Sequence, residues 1–158
     1  MAIRNIVLEG DPILTKKCRV VERFDDRLAQ LIDDMKETMT LKDGVGLAAP
    51  QVGVLKRVIV ILYEEDKIIE LVNPKIIESS GMQEDAEGCL SCPGEYGITR
   101  RPMNVKVKAQ DRFGKEHVYE GEALLARAFC HEIDHLDGIL FKEHVIRMLD
   151  SSELEVEK

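Results

Sequence analysis

The segment His131-Glu132-Ile133-Asp134-His135 restricts the fold of this chain more than any other. It matches H-E-x-x-H, and on a helix residues four apart share one face. Two imidazoles so placed can grip one metal ion, and the glutamate between them can work on a water that the ion holds. The pattern demands a helix whose chemically active face turns inward. It points to hydrolysis without a covalent intermediate and leaves the third ligand, the metal and the substrate open.

The surrounding residues supply that helix. A helical pattern runs from about Glu122 to Leu136, and Leu124, Ala128, His131 and His135 step by four, three and four along it. The histidines thus extend an apolar stripe rather than a solvent face. Asp137-Gly138 ends the helix. The chain has four histidines. A lone histidine on an apolar face is usually a satisfied core residue, but a pair at this spacing with Glu132 between them is a metal motif.

Elsewhere the pattern predicts a small α+β protein. Asp25 or Asp26 caps an N-terminal amphipathic helix whose stripe is Leu28, Leu31, Ile32, Met35 and Met39, ended by Asp43-Gly44. Arg57 to Tyr63 and Ile68 to Val72 flank a polar turn and read as a hairpin. Asn104 to Gln110 alternates as a strand, and a turn around Gly114 leads to another at Glu116 to Glu120. Short turns between successive strands imply antiparallel pairing. Residues 79–102, rich in Ser, Gly and Pro, read as loop, and Ser151 to Lys158 as a solvated end. The expected architecture is one domain over 1–158, with antiparallel sheet around the His131 helix.

Charge narrows the partners. At net charge −8 an extended nucleic-acid backbone is a poor main ligand, so DNA is not expected. Met1 to Gly10 lacks a sustained apolar run, and Val58 to Tyr63, the longest one, is strand-sized, so no membrane association is expected. A cytoplasmic setting is expected, with Cys18, Cys89, Cys92 and Cys130 as free thiols or ligands.

Several residues compete to be the third ligand. A protease pattern places a histidine after H-E-x-x-H-x-x-G-x-x; Gly138 matches its glycine, but Phe141 stands where that histidine belongs. Glu153 and Glu155 would make a zinc peptidase, from a polar tail with little to hold it rigid. Cys89 is a thiolate candidate, with Gly88 permitting close backbone approach. Cys89 and Cys92 also form C-x-x-C, which with both histidines would close a Cys₂His₂ structural zinc site that has no use for Glu132.

Three segments together resemble one family. Gly44-Val45-Gly46-Leu47-Ala48-Ala49-Pro50-Gln51, Glu87-Gly88-Cys89-Leu90-Ser91 and His131-Glu132-Ile133-Asp134-His135 resemble, in order and spacing, the motifs of the bacterial and organellar peptide deformylases. These enzymes remove the N-formyl group from new polypeptides. The resemblance implies that Cys89, His131 and His135 hold the metal and that Glu132 is general base and acid. It implies that the Gln51 amide and the Leu90 N–H polarise the formyl carbonyl and hold the oxyanion. Substrate would lie extended along Val45, Gly46 and Gly88, with its methionine side chain against Leu124 and Ala128. Arg127 falls where many relatives carry an apolar residue and Tyr96 where some carry arginine; both are expected to alter the pocket mouth. Cys92 replaces a common aliphatic residue and reads as packing.

The resemblance also implies ferrous iron as the physiological metal, with Zn²⁺, Ni²⁺ or Co²⁺ able to use the same ligands. A thiolate beside Fe²⁺ invites oxidative loss of activity. The implied substrates are N-formyl-methionyl nascent peptides, met through transient ribosome association in a bacterial cytoplasm. Asp134 and Asp137 lie near His131 and His135 in sequence as candidate hydrogen-bond partners for them.

Overall fold

Asp25 opens the first helix of the structure, a computed structural model that describes residues 2–150 and Ser152. Its carboxylate accepts the Leu28 N–H at 3.0 Å, satisfying a donor that a helix start otherwise leaves unpaired. Helix α1 spans Asp26–Leu41 and buries Leu28, Leu31, Ile32, Met35 and Met39, as its stripe predicts. Asp43 then takes a left-handed φ of 54° and the Gly44 N–H returns to the Met39 carbonyl, which turns the chain away.

There follow β1 (Gly46–Ala48), β2 (Val58–Glu64), β3 (Lys67–Ser80), β4 (Gln83–Cys89), β5 (Cys92–Arg101), β6 (Asn104–Gln110), β7 (Glu116–Glu122), α2 (Leu124–Leu136) and β8 (Val145–Met148). These strands pair antiparallel in two sheets, ordered β1-β2-β3-β6-β7 and β4-β5-β8. The protein is α+β, as expected.

The apolar run in β2 has a simple cause: both faces of that strand are buried. Val58 and Val60 join Leu28, Leu31 and Met35 of α1 in one core, while Ile59 and Ile61 join Phe129, Ile133 and Leu136 of α2 in the other. The five-stranded sheet therefore lies between the two helices. Phe129 is fully buried in this packing, where truncation to alanine typically costs about 3–5 kcal/mol.

Two expectations need correction. Residues 79–102 are largely strand, not loop. Their pairing is carried by a ladder and by polar cross-strand contacts such as Glu84 with Arg100, 2.7 Å apart and directly opposed in register, so no apolar alternation marks them. Helix α2 begins at Leu124 rather than Glu122, because Glu122 still pairs in β7 and the chain turns at Ala123, φ 55°. The Gln83 side chain secures that turn through the Ala123 and Pro102 carbonyls, at 2.7 and 3.0 Å. Leu124 consequently sits at the exposed start of the helix, 62% accessible, outside the buried stripe.

The far end of α2 is set by Gly138. Its φ is 75°, and a Cβ there would meet the Thr15 backbone carbonyl carbon at 2.6 Å. Only glycine lets the helix end pack so closely against the Pro12–Thr15 turn.

Candidate metal centre and active site

Helix α2 is buried on two sides of different character. Its apolar side meets the five-stranded sheet; Arg127, His131 and Asp134, which share another face, meet β4 and β5. Cys89 ends β4, and Leu90-Ser91 form the tight turn into β5. That position brings Cys89 Sγ to 3.4 Å from His135 Nε2, which lies 3.2 Å from His131 Nε2. The three donor atoms fall within 4.8 Å of one another.

Cys92 is not part of this set. Among the described residues its sulfur groups instead with the Glu9 and Glu95 carboxylates, which Lys142 Nζ already bridges at 2.7 and 2.8 Å. The closed four-ligand site is therefore not assembled. Glu153 and Glu155 lie outside the described residues. Phe141 is buried and stacked on the His131 ring, centroids 6.1 Å apart, so the position of the protease histidine serves packing.

Glu87 organises the charge around the centre. Its carboxylate accepts from Arg101 Nη2 at 2.7 Å, Arg127 Nη1 at 2.9 Å, Thr99 Oγ1 at 2.8 Å and His131 Nδ1 at 2.6 Å. Burial pushes this carboxyl up, but the bonds from His131 and Arg101 outweigh burial and hold it well below the usual range. Burial pushes the His131 pKa down, but Glu132 and Glu87 outweigh it and raise it; Nδ1 keeps its proton toward Glu87, and once the Nε2 proton is lost the lone pair faces Cys89 and His135. Neither Asp134 nor Asp137 bonds His131 or His135: Asp134 pairs with Arg101 and His144, and Asp137 with Arg57. Burial and the neighbouring His131 drive the His135 pKa well down, so that ring is a neutral donor too. Glu87 and Ser91 lie within the Glu87–Ser91 motif, but Arg101 and Thr99 carry no signal of their own in sequence.

Glu132 is the second buried acid. Desolvation pushes its pKa up to about 7. Oε1 has no hydrogen-bond partner among the described residues, and Oε2 is 4.0 Å from His131 Nε2. Gly46 packs directly on it: a Cβ there would be 2.6 Å from Oε2. The glycine thus serves close approach of β1 to this carboxylate, beyond any turn.

Gln51 is oriented by its backbone surroundings. Oε1 accepts the Ala48 N–H at 3.0 Å, so the NH₂ must point the other way, toward Ser91 Oγ at 3.1 Å and Cys89 Sγ at 3.5 Å.

Above these groups opens a cleft of about 410 Å³. Val45, Gly46, Gln51, Gly88, Cys89, Leu90, Tyr96, Leu124, Arg127, Ala128, His131 and Glu132 all line it, leaving only His135 of the predicted residues behind its floor. Tyr96 stands at the rim, 42% accessible, with its ring over Gly88, where a Cβ would meet Cε1 at 2.5 Å. Arg127 is not at the mouth. It is 3% accessible, with its guanidinium turned into Glu87 and Thr99, because only there does the buried cation find a buried anion. A larger, shallower groove of about 730 Å³ along Glu78, Lys106 and Glu120 offers no comparable set of donors.

The donor chemistry fits a metal. One sulfur and two imidazole nitrogens suit a borderline or soft divalent ion rather than magnesium or calcium, and His131 is held in the tautomer that coordination needs. Such a set on an inward helix face, beside a buried carboxylate and under a cleft, places the chain among the metal-dependent hydrolases. The family model for polypeptide deformylase matches residues 3–150. Peptide deformylases of Caldicellulosiruptor bescii and Acetivibrio thermocellus are 59% and 55% identical to this chain, covering 98% of it and 93% and 91% of their own lengths. The crystal structure of a peptide deformylase from Legionella pneumophila superposes with a TM-score of 0.87 at 45% identity, over 98% of this chain and 90% of that one. That from Thermotoga maritima gives 0.88 at 38% identity, over 92% and 99%. The chain belongs to the polypeptide deformylase family. It is an enzyme of that metal-dependent family and removes the N-formyl group from nascent peptides.

Proposed function

We propose that Cys89, His131 and His135 hold one divalent metal and that Glu132 moves the protons of deformylation. The convergence of the three donors beside the buried Glu132 carboxylate, whose Oε1 has no hydrogen-bond partner among the described residues, is the observation that carries this reading. A divalent ion held there would supply Lewis acidity toward a water and toward the formyl oxygen. Glu132, with a pKa near 7, takes a proton from the attacking water and passes it to the departing amine, so formate leaves and a free N-terminus remains. The Gln51 NH₂, aimed into the cleft by the Ala48 N–H, and the Leu90 N–H stabilise the oxyanion as it forms.

Topology supports an extended substrate. β1 and β4 are the outer strands of their sheets, and both Gly46 and Gly88 line the cleft. A peptide lying between these edges can pair with backbone on either side, near Val45, Gly46 and Gly88. Its methionine side chain packs against Leu124, Ala128 and the ring of Tyr96, with the Arg127 stem as inner wall. Ferrous iron is the proposed physiological occupant, with Zn²⁺, Ni²⁺ or Co²⁺ as alternatives that suit the same donors. Because the substrate emerges from the ribosome, transient association there and a cytoplasmic location are part of this reading. Among the described residues no helix is long and apolar enough to cross a membrane.

Anaerobic assay of formate release from formyl-Met-Ala tests the proposal. Wild-type protein should release formate from the formylated peptide and leave unformylated Met-Ala intact. Glu132→Ala should keep its metal and lose turnover; undiminished activity in that variant would remove Glu132 from the mechanism.

A further inference from the structure

Cys92 has no part in the deformylation chemistry above, yet the fold places it against a metal-ligand candidate. Cys89 and Cys92 close the turn Leu90-Ser91 and are directly opposed in the β4–β5 ladder. Opposed residues of an antiparallel pair have Cα atoms about 4.5–5.5 Å apart with side chains on one face. A disulfide needs about 4.4–6.8 Å. Cys89 lines the open cleft, whereas Cys92 is 2% accessible. A small oxidant therefore meets Cys89 first, and Cys92 waits behind it.

We propose that Cys92 is a resolving thiol: under peroxide it captures oxidised Cys89 as an intramolecular disulfide. The Cys89 sulfur attacks one oxygen of hydrogen peroxide, the O–O bond breaks, and sulfenic acid and water form. The Cys92 sulfur then attacks Cys89 Sγ, the S–OH bond breaks, and a second water carries away the hydroxyl and the Cys92 proton. Two electrons leave the sulfur pair and reduce one peroxide. The product withdraws the charged sulfur from the donor set, a consequence that rests on Cys89 being a metal ligand, and leaves a bond that a dithiol can reopen. Without Cys92, the sulfenic acid is open to further, irreversible oxidation.

The test treats the full-length, metal-loaded protein with hydrogen peroxide and follows intact mass, peptide linkage and released metal together. Wild type should lose about 2 Da, map a Cys89–Cys92 linkage, release its metal, and return to its starting mass with dithiothreitol. Cys92→Ser should instead gain about 32 or 48 Da on Cys89 that dithiothreitol does not reverse. Cys92→Val repeats the comparison with an apolar filler should serine disturb this buried position. Irreversible oxidation of Cys89 at the same rate in wild type and variants would overturn the proposal, as would linkage to Cys18 or Cys130. A Cys89–Cys92 linkage formed with the metal fully retained would support the resolving thiol and overturn the ligand role of Cys89.

Discussion

The Glu87 carboxylate accepts a 2.6 Å hydrogen bond from His131 Nδ1 while two arginines hold that carboxylate ionised. The arrangement presents His131 Nε2 to the Cys89 and His135 donors in a single tautomer and ring orientation.

Glu87→Gln should therefore do two things. Metal affinity should fall about 10–100-fold, as losses of histidine-orienting partners usually do. Arg101 and Arg127 also lose a buried counter-charge, and stability should drop by on the order of 3–5 kcal/mol. Chelator competition and denaturant unfolding measure these separately. Unchanged metal affinity would mean that His131 needs no such partner.

Gly46→Ala tests the closeness of β1 to the Glu132 carboxylate, the proposed proton carrier. The new Cβ would lie 2.6 Å from Glu132 Oε2 and 2.8 Å from its Cγ, and the buried glutamate has little room to yield. Displacing such a group typically costs on the order of 100-fold in rate. The expected result is a kcat loss of that size with metal content preserved, read by formate release and elemental analysis.

Gln51→Ala removes an oriented amide donor from the cleft. The expected loss is about 2.7–4 kcal/mol of transition-state stabilisation, appearing mainly in kcat. A change confined to KM would assign Gln51 to substrate binding alone.

Glu70 gives a pH prediction remote from the metal. Burial pushes its carboxyl up, but bonds from Arg112 and Lys36 outweigh burial and bring the pKa down to about 2, from 4.5. A depressed folded-state value stabilises the native state above the unfolded pKa, and that stabilisation disappears as pH falls from about 4.5 toward 2. The amount is on the order of 2–3 kcal/mol. In denaturant melts, wild type should lose stability across this window more steeply than Glu70→Gln. Parallel curves would show that the Glu70 contacts contribute nothing net.

Much of the site was legible in the chain because its parts are local. Spacing of four on a helix placed His131 and His135 together, and the stripe from Leu28 to Met39 defined α1, with the choice between Asp25 and Asp26 as its cap left to the structure. Cys89 could be proposed only as one of several third ligands until its motif was taken together with the other two. The strands at 83–101 were not legible, since charged cross-strand pairs hold an edge hairpin without apolar alternation. Arg127 was placed at the pocket mouth because its burial depends on Glu87, forty residues away.

Taken alone, the sequence determined a helix with two histidines on one inward face, an α+β frame and a small set of candidate donors. Those follow from periodicity and short-range spacing, which any chain with these residues must obey. Tertiary structure decided which sulfur joins the histidines, which carboxylate orients His131 and which is buried with one oxygen unpartnered and a pKa pushed up to about 7. Such choices depend on distances between β4, β5 and α2 and on how deeply each charge is buried. Coulomb attraction and desolvation act through space, and no spacing along the chain encodes them.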